Sequence, residues 1–472
     1  MAAVSKRLTL RALPALVAAA ASLTLASATA QGATVEVRET LGTENTAELS
    51  FQALAGEDNR VTIVFAKTGD GFLDLTVKDE GAALEVGSGC SGGGDPGQAA
   101  HCRMRESKWA DLELCGKNCL FPIPGTGWTD ALRISLGDGD NSFDGSAFSD
   151  EYDPRVEMTV ESGAGEDEIA TGGGEDRIDP GPGPDQVHSG LGFDRIKASA
   201  TADGPDLYDS GTSIDKVSYD LRSEPVHLGG STAGAAGEGD TLTGRFHVVG
   251  GNANDVLEGG PQVYVLEGGP GDDVMSGTRA EGTDLFGGPG NDQLTTAGGS
   301  AESANRLVGE GGNDIYRGGE GNDLIFESFA HHDWGARPEP SPTPESSGGD
   351  DIAYGEGGND VISPGAGADQ VYGGPGDDEA TGEDGADGIY GGAGRDELVG
   401  GFGFDRIFGG PGADRLFSGR TPRHIPTILF PPASDDGRDR VGCGAGRDVG
   451  NVNPWDRRSR CETIHLLRRR AG

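Results

Sequence analysis

The sequence predicts an all-β chain: a long solenoid of nine-residue repeats, preceded by a small antiparallel β domain. Three observations predict it. Seven consecutive frames from Gly355 to Phe417 keep three residue classes in register without an insertion. Gly supplies 85 of 472 residues, against 16 Phe, 8 Tyr and 4 Trp, too few large side chains for one compact core of this length. Residues 33 to 88 alternate apolar and polar side chains in short β-branched runs. A collagen helix is excluded, because Gly falls short of a third and keeps no three-residue period.

In order along the chain, residues 1–30 read as a secretory signal peptide. Lys6, Arg7 and Arg11 form the basic region, Leu13 to Leu25 the apolar one, and Ala28-Thr29-Ala30 the cleavage site. No later apolar run is long enough to span a bilayer. Residues 31–132 form the small β domain. Its strands are expected around Thr34–Arg38, Glu48–Phe51, Val61–Phe65 and Leu73–Val77, with turns near Gly56 and Gly69. Residues 89 to 130 are irregular and held by cysteines.

Six Cys in an exported chain favour disulfides. Cys90–Cys102 and Cys115–Cys119 are the pairs expected, among three connectivities, and Cys443–Cys461 closes the end of the chain. A four-Cys zinc site is the rival for the first cluster, but its spacing lacks paired C-x₂-C knuckles.

Residues 133–418 are the repeat array. Counting nine from Gly355, position four is Gly and position six is Asp in every frame: Asp360, Asp369, Asp378, Asp387, Asp396, Asp405 and Asp414. Position eight is apolar: Ile362, Val371, Ala380, Ile389, Leu398, Ile407 and Leu416. Asp167, Asp176, Asp185 and Asp194 repeat the register earlier, followed by Ile169, Ile178, Val187 and Ile196. Looser copies surround Asp255, Asp273, Asp292, Asp314 and Asp323. Gly137–Phe143 reads as an opening repeat with Asn141 in place of Asp; it is not an EF-hand loop, since Phe143 stands where that loop needs Gly. Around Asp215, and from Gly259 to Tyr264, the pattern is broken, and sites there are expected to be weak or empty. Residues 327–348 interrupt the array as a loop; His331-His332-Asp333 within it is read as solvated rather than as a metal site.

These position-six Asp residues are the candidate metal ligands. Gly at the turns permits positive φ and lets main-chain carbonyls converge. One carboxylate per turn, without His or Cys in register, selects calcium over zinc or copper. The net charge of −41 suits cations and repels nucleic acid and anionic membranes. Ordering nine residues costs roughly 9–18 kcal/mol of backbone entropy. One buried aliphatic side chain returns about 1.5–3 kcal/mol. Metal binding is the missing favourable contribution.

The frame resembles the G-G-x-G-x-D-x-U-x nonapeptide of the repeats-in-toxin, or haemolysin-type calcium-binding, family. Gly391-Gly392-Ala393-Gly394-Arg395-Asp396-Glu397-Leu398-Val399 matches it position by position. The resemblance implies a parallel β-roll, two nonapeptides per coil, with multiple calcium ions bound between turns. On the order of ten ions are expected if each bridges neighbouring coils. The family often carries a protease or lipase ahead of the repeats. Here no H-E-x-x-H occurs, and the G-x-S-x-G at Gly89–Gly93 is a match that Gly abundance produces by chance. No enzymatic activity is expected.

Residues 419–472 are the C-terminal cap, Arg-rich, with Asp439–Val449 resembling further degenerate coils. Tyr372, Tyr390 and Phe408 recur at position nine of alternate frames and form an aromatic ladder on one outward face, which another segment is expected to cover, with Ile425–Phe430 available nearby; Ser363, Thr381, Val399 and Phe417 are expected on the opposite one. The function expected is that of an exported calcium-binding protein with a structural or cell-surface role. The alternatives are an adhesin with a cell-surface or glycan partner on the aromatic face, and a secreted hydrolase with an unrecognised N-terminal catalytic domain.

Overall fold

The computed structural model describes residues 33–40, 46–53, 59–68, 72–81, 84–88, 90–94, 96–105, 130–146, 156–279, 282–297, 305–328, 348–419, 439–452, 456–461 and 463–466. Residues 1–30, read above as a signal peptide, Cys115–Cys119, the His331–Asp333 run and Ile425–Phe430 lie outside them. The described elements are all strands. Each repeat contributes about three strand residues, and each strand pairs in parallel with the one two frames on, as Val371 with Ile389 and Ile389 with Ile407. Two stacks of parallel strands therefore build a β-roll.

The apolar residue at position eight is the inward one, because alternate side chains of a strand point to opposite faces. One inward column pairs without a break through Phe51, Ile134, Val160, Ile178, Ile196, Val217, Val248, Leu266, Leu285, Leu307, Ile325, Ile362, Ala380, Leu398 and Leu416. The other column runs from Val61 through Phe143, Ile169, Val187 and Tyr208 to Leu242, and resumes from Leu228 to Leu257. The break is the irregular stretch after Ser218, where Arg222 and Glu238 form a buried ion pair and the guanidinium lies 4.8 Å from the Tyr219 ring centroid.

The antiparallel strands expected at the N-terminus are present. Ala33–Thr40 pairs with Thr46–Gln52, and Arg60–Thr68 with Phe72–Asp79; contrary to the irregular stretch expected from residue 89, Cys90–Gly92 and Ala99–Arg105 are also strands, which extend this antiparallel sheet. These hairpins start the roll directly: Leu49 pairs in parallel with Leu132, and Val61 with Phe143. The boundary drawn at residue 132 thus falls inside strand Asp130–Ser135. Disulfides join Cys90 to Cys102 and Cys443 to Cys461. At the other end, strands Arg440–Gly446, Val449–Val452, Arg457–Ser459 and Thr463–Leu466 continue both stacks as the expected degenerate coils.

Position nine differs between the two stacks. Tyr354, Tyr372, Tyr390 and Phe408 stack at 5.0, 5.0 and 5.3 Å between ring centroids, with Tyr390 and Phe408 37 % and 38 % exposed. The ladder thus includes Tyr354, one residue more than the repeat pattern revealed. On the other stack, Ser363, Thr381, Val399 and Phe417 are buried rather than outward-facing. Ser363 donates its hydroxyl to the Glu383 carboxylate in the turn of the next coil, so the chain there folds over this face.

Candidate calcium-binding turns

All of the Asp residues singled out at position six are buried: Asp167, Asp176, Asp185, Asp194, Asp255, Asp273, Asp292, Asp314, Asp323, Asp360, Asp369, Asp378, Asp387, Asp396, Asp405 and Asp414. Twelve of them fall in two hydrogen-bonded ladders, and the earlier pairs Asp167–Asp185 and Asp176–Asp194 are bonded in the same way, at 2.9 and 2.8 Å. In each, the amide N–H of one position-six residue donates to Oδ1 of its counterpart in the next coil. One ladder runs from Asp255 through Asp273, Asp292 and Asp314 to Asp351, Asp369, Asp387 and Asp405, with N···O distances of 2.6–3.0 Å. The other runs from Asn305 through Asp323, Asp360, Asp378 and Asp396 to Asp414, at 2.8–3.1 Å. Across residues 329–347 both ladders bond partners 37 residues apart instead of 18, and the 18-residue register resumes at Asp351.

Position two or four of each turn needs a left-handed or extended-positive backbone. Gly394 has φ +155°, and a Cβ there would overlap the carbonyl oxygen of Gly376 one coil back. Position one is Gly in six of the seven regular frames, Pro364 being the exception, for a different reason. A Cβ on Gly373 would fill a pocket between its own frame's Asp378 carboxylate and the carbonyl oxygen of Gly391, 2.5 Å away. The second carboxylate oxygen and main-chain carbonyls converge on that space.

These second oxygens have nothing to bind. Oδ2 of Asp167, Asp176, Asp185, Asp194, Asp273, Asp292, Asp323, Asp360, Asp369, Asp378, Asp387, Asp396 and Asp414 is buried with no hydrogen-bond partner. A buried, unpaired carboxylate costs several kcal/mol. Burial first, and neighbouring carboxylates after it, push Asp360 and Asp369 up to about 7 and Asp292 and Asp387 up to about 8, while the ladder amides pull the other way. A cation held beside these groups would favour their ionised form and lower these values again.

Asn141 shows what belongs there. Its Oδ1 accepts from the Asn59 amide at 3.0 Å, which places it in the ladder as the opening repeat. Its Nδ2, standing where the other turns have Oδ2, donates to the carbonyls of Gly137 at 3.0 Å, Gly139 at 2.7 Å and Ser162 at 3.3 Å. Asn at this position satisfies converging carbonyls with a donor; Asp presents them with another acceptor. An acceptor-only cage of carboxylate and carbonyl oxygens fits calcium, which takes six to eight such ligands.

The irregular stretch is built otherwise. Tyr208 donates to Asp206 Oδ2 at 2.6 Å, Tyr219 to Asp240 Oδ2 at 2.8 Å, and Ser189 to Asp215 Oδ2. Gly251 N–H reaches Asp255 Oδ2, and Tyr316 reaches Asp314 Oδ2 at 3.3 Å. Protein donors occupy the oxygen that a cation would use. Around Asp215, where weak or empty sites were expected, Oδ2 thus has a protein donor, as it does in Asp255 and Asp314.

Sequence reasoning did not single out Asp351, Asp206 and Asp240, which occupy the same ladder position. Asp351 follows the loop directly, with Ser346-Ser347 where its frame begins; Asp206 and Asp240 stand outside the nine-residue count. A second, exposed ladder at position five was also missed: Asn254, Asp272, Asn291, Asn313 and Asp350 accept in turn from the amides of the following coil. Recurrent Asn or Asp immediately before the position-six Asp was its signal.

A roll whose turns present buried carboxylates and carbonyls, at a spacing set by Gly, is a calcium-binding repeat protein. A family model, the RTX calcium-binding nonapeptide repeat (4 copies), matches residues 159–187, 249–280, 302–325, 345–371, 363–398 and 390–420. Several copies of this calcium-binding repeat are thus recognised between residues 159 and 420. No curated protein matches it.

Proposed function

We propose that the chain is exported through its N-terminal signal and folds outside the cytoplasm on binding several calcium ions, where it has a structural or cell-surface role rather than a catalytic one. The observation that carries this reading is the column of buried Oδ2 atoms without hydrogen-bond partners, whose charge a divalent cation would balance. Disulfides at both ends fit an oxidising compartment. Among the described residues no helix is long and apolar enough to cross a membrane. Ser91 of the G-x-S-x-G run gives the hydrolase alternative no support, since its hydroxyl is bonded to the main-chain carbonyl of His101 at 3.4 Å rather than to an imidazole nitrogen. Fractionation of expressing cells, with N-terminal sequencing of the product, tests the export step. A product outside the cytoplasm that begins at Gln31 is expected; an uncut cytoplasmic chain contradicts it.

One observation favours a second reading, an adhesin or ligand-binding module. Four stacked rings from Tyr354 to Phe408 form a half-exposed aromatic strip. Loss of cell or glycan binding on Tyr372→Ser with Tyr390→Ser, with calcium-dependent folding retained, would support it.

A further inference from the structure

We propose that Glu327 supplies a third carboxylate to one calcium site, at the root of the 327–348 loop, and that this site binds calcium more tightly than the ordinary turns. The proposal rests on the calcium-binding reading for the identity of the ion, but its geometry stands alone.

Glu327 follows strand Leu324–Phe326 as Gly355 follows Ile352–Tyr354. It therefore takes, in space, the place of position one in the turn that holds Asp351, although Ser346 begins that frame by sequence count. The corresponding residue is Gly in the neighbouring frames at Gly309, Gly318, Gly355 and Gly373, where a Cβ would intrude on the carboxylate of the same turn. Here a side chain enters that space and brings a carboxylate. Ligand oxygens of Asp314, Glu327 and Asp351 all lie within 4.8 Å of one another.

Acidic clusters are common without an ion, and two further observations separate this one from them. Asp351 is 1 % exposed, and its Oδ2, aimed into the cluster, has no hydrogen-bond partner. Both carboxylate oxygens of Glu327 are also buried with no donor from outside the cluster, and its carboxyl group faces that of Asp351 within hydrogen-bond reach. Its main chain is fixed: the carbonyl accepts from Glu310 N–H at 2.6 Å, and its N–H donates to Ser363 O at 3.1 Å. Its Cβ and Cγ lie against Gly365, which has φ +102° and no space for a side chain. Of the three acids, only Asp314 has a protein donor on its second oxygen, the Tyr316 hydroxyl at 3.3 Å. Three carboxylates held this close, with oxygen donors only, select a hard divalent cation, and the added charge raises affinity. Because Glu327 precedes the loop and Asp351 follows it, the ion would tie the loop's two ends together.

The test is equilibrium calcium binding to the chelator-stripped full chain, compared with Glu327→Gln and Glu327→Gly. The glycine variant restores the residue the turn ordinarily has and so protects against a simple folding failure. The expected result is loss of the tightest class, about one ion per chain, through an affinity roughly ten- to hundred-fold weaker, as for loss of one charge-assisted ligand. Calcium-induced circular dichroism at saturation should be unchanged. Binding isotherms identical to wild type in both variants would overturn the proposal while leaving the calcium-binding reading intact. A wild-type chain that takes up no calcium would overturn both.

Discussion

The amide of Asn141 donates to Oδ1 of Asp167 at 2.7 Å, and the two side chains occupy equivalent places in successive coils. Asn141 turns an N–H₂ group towards three carbonyls, whereas Asp167 turns an oxygen to the same kind of place and finds no partner. The difference of one atom separates a turn that is complete within the protein from one that needs a cation.

That relationship predicts the effect of Asp387→Asn. The new amide should donate to the turn carbonyls as Asn141 does, while Oδ1 still accepts from Asp369 N–H, now 2.9 Å away. In chelator the variant should be more stable than wild type, by about 1–3 kcal/mol, because a buried unpaired group is removed. In calcium it should be less stable and bind fewer ions. Denaturant melts under both conditions would show whether the order reverses. Asp240→Asn, whose carboxylate already accepts from Tyr219, should leave the ion count unchanged.

Acid should substitute for calcium. The ladder carboxylates have raised values in the fold, about 7 for Asp369 and about 8 for Asp387, against ordinary values near 3.8, so the folded state binds protons more tightly than the unfolded chain. Their contribution to metal-free stability is fully present below about pH 4 and lost as pH rises through about 7–8. A chelated sample should gain β signal on acidification through that window, and calcium affinity should fall as protons compete. A β signal independent of pH from 4 to 8 in chelator would contradict this.

Glycines of the same strand-and-turn unit should differ sharply in tolerance. Gly394→Ala forces a Cβ into the Gly376 carbonyl at a left-handed backbone and should cost more than about 3 kcal/mol. Gly388→Ala meets only ordinary contacts, the nearest being a Tyr390 ring carbon at 3.5 Å, and should be close to neutral. Thermal melts in saturating calcium distinguish them.

What was legible in the sequence was whatever kept strict register. Seven unbroken frames located Asp360 to Asp414 and the inward residues Ile362 to Leu416, because a solenoid repeats its chemistry at the period of its backbone. The period-two strands from Thr34 to Val77 were legible for the same reason. Asp351 was not, since the loop before it destroys the count, and the ladder bond from Asp314 across 37 residues exists only in three dimensions. The donors that complete Asp206 and Asp240 were equally hidden: Tyr208 and Tyr219 read as ordinary core residues, and only their hydroxyl positions show that they replace a cation. Position nine misled on one side because both stacks have the same pattern, while the Ser363–Glu383 contact that covers one of them is tertiary.

The central claim is that the roll is incomplete without calcium, and the most direct test is circular dichroism of the chain from Gln31 onward during a calcium titration, with magnesium as control and reversal by chelator. The account predicts a cooperative gain of β signal with calcium alone, lost again in chelator. A chain already folded in chelator at neutral pH, or indifferent to calcium, would contradict it.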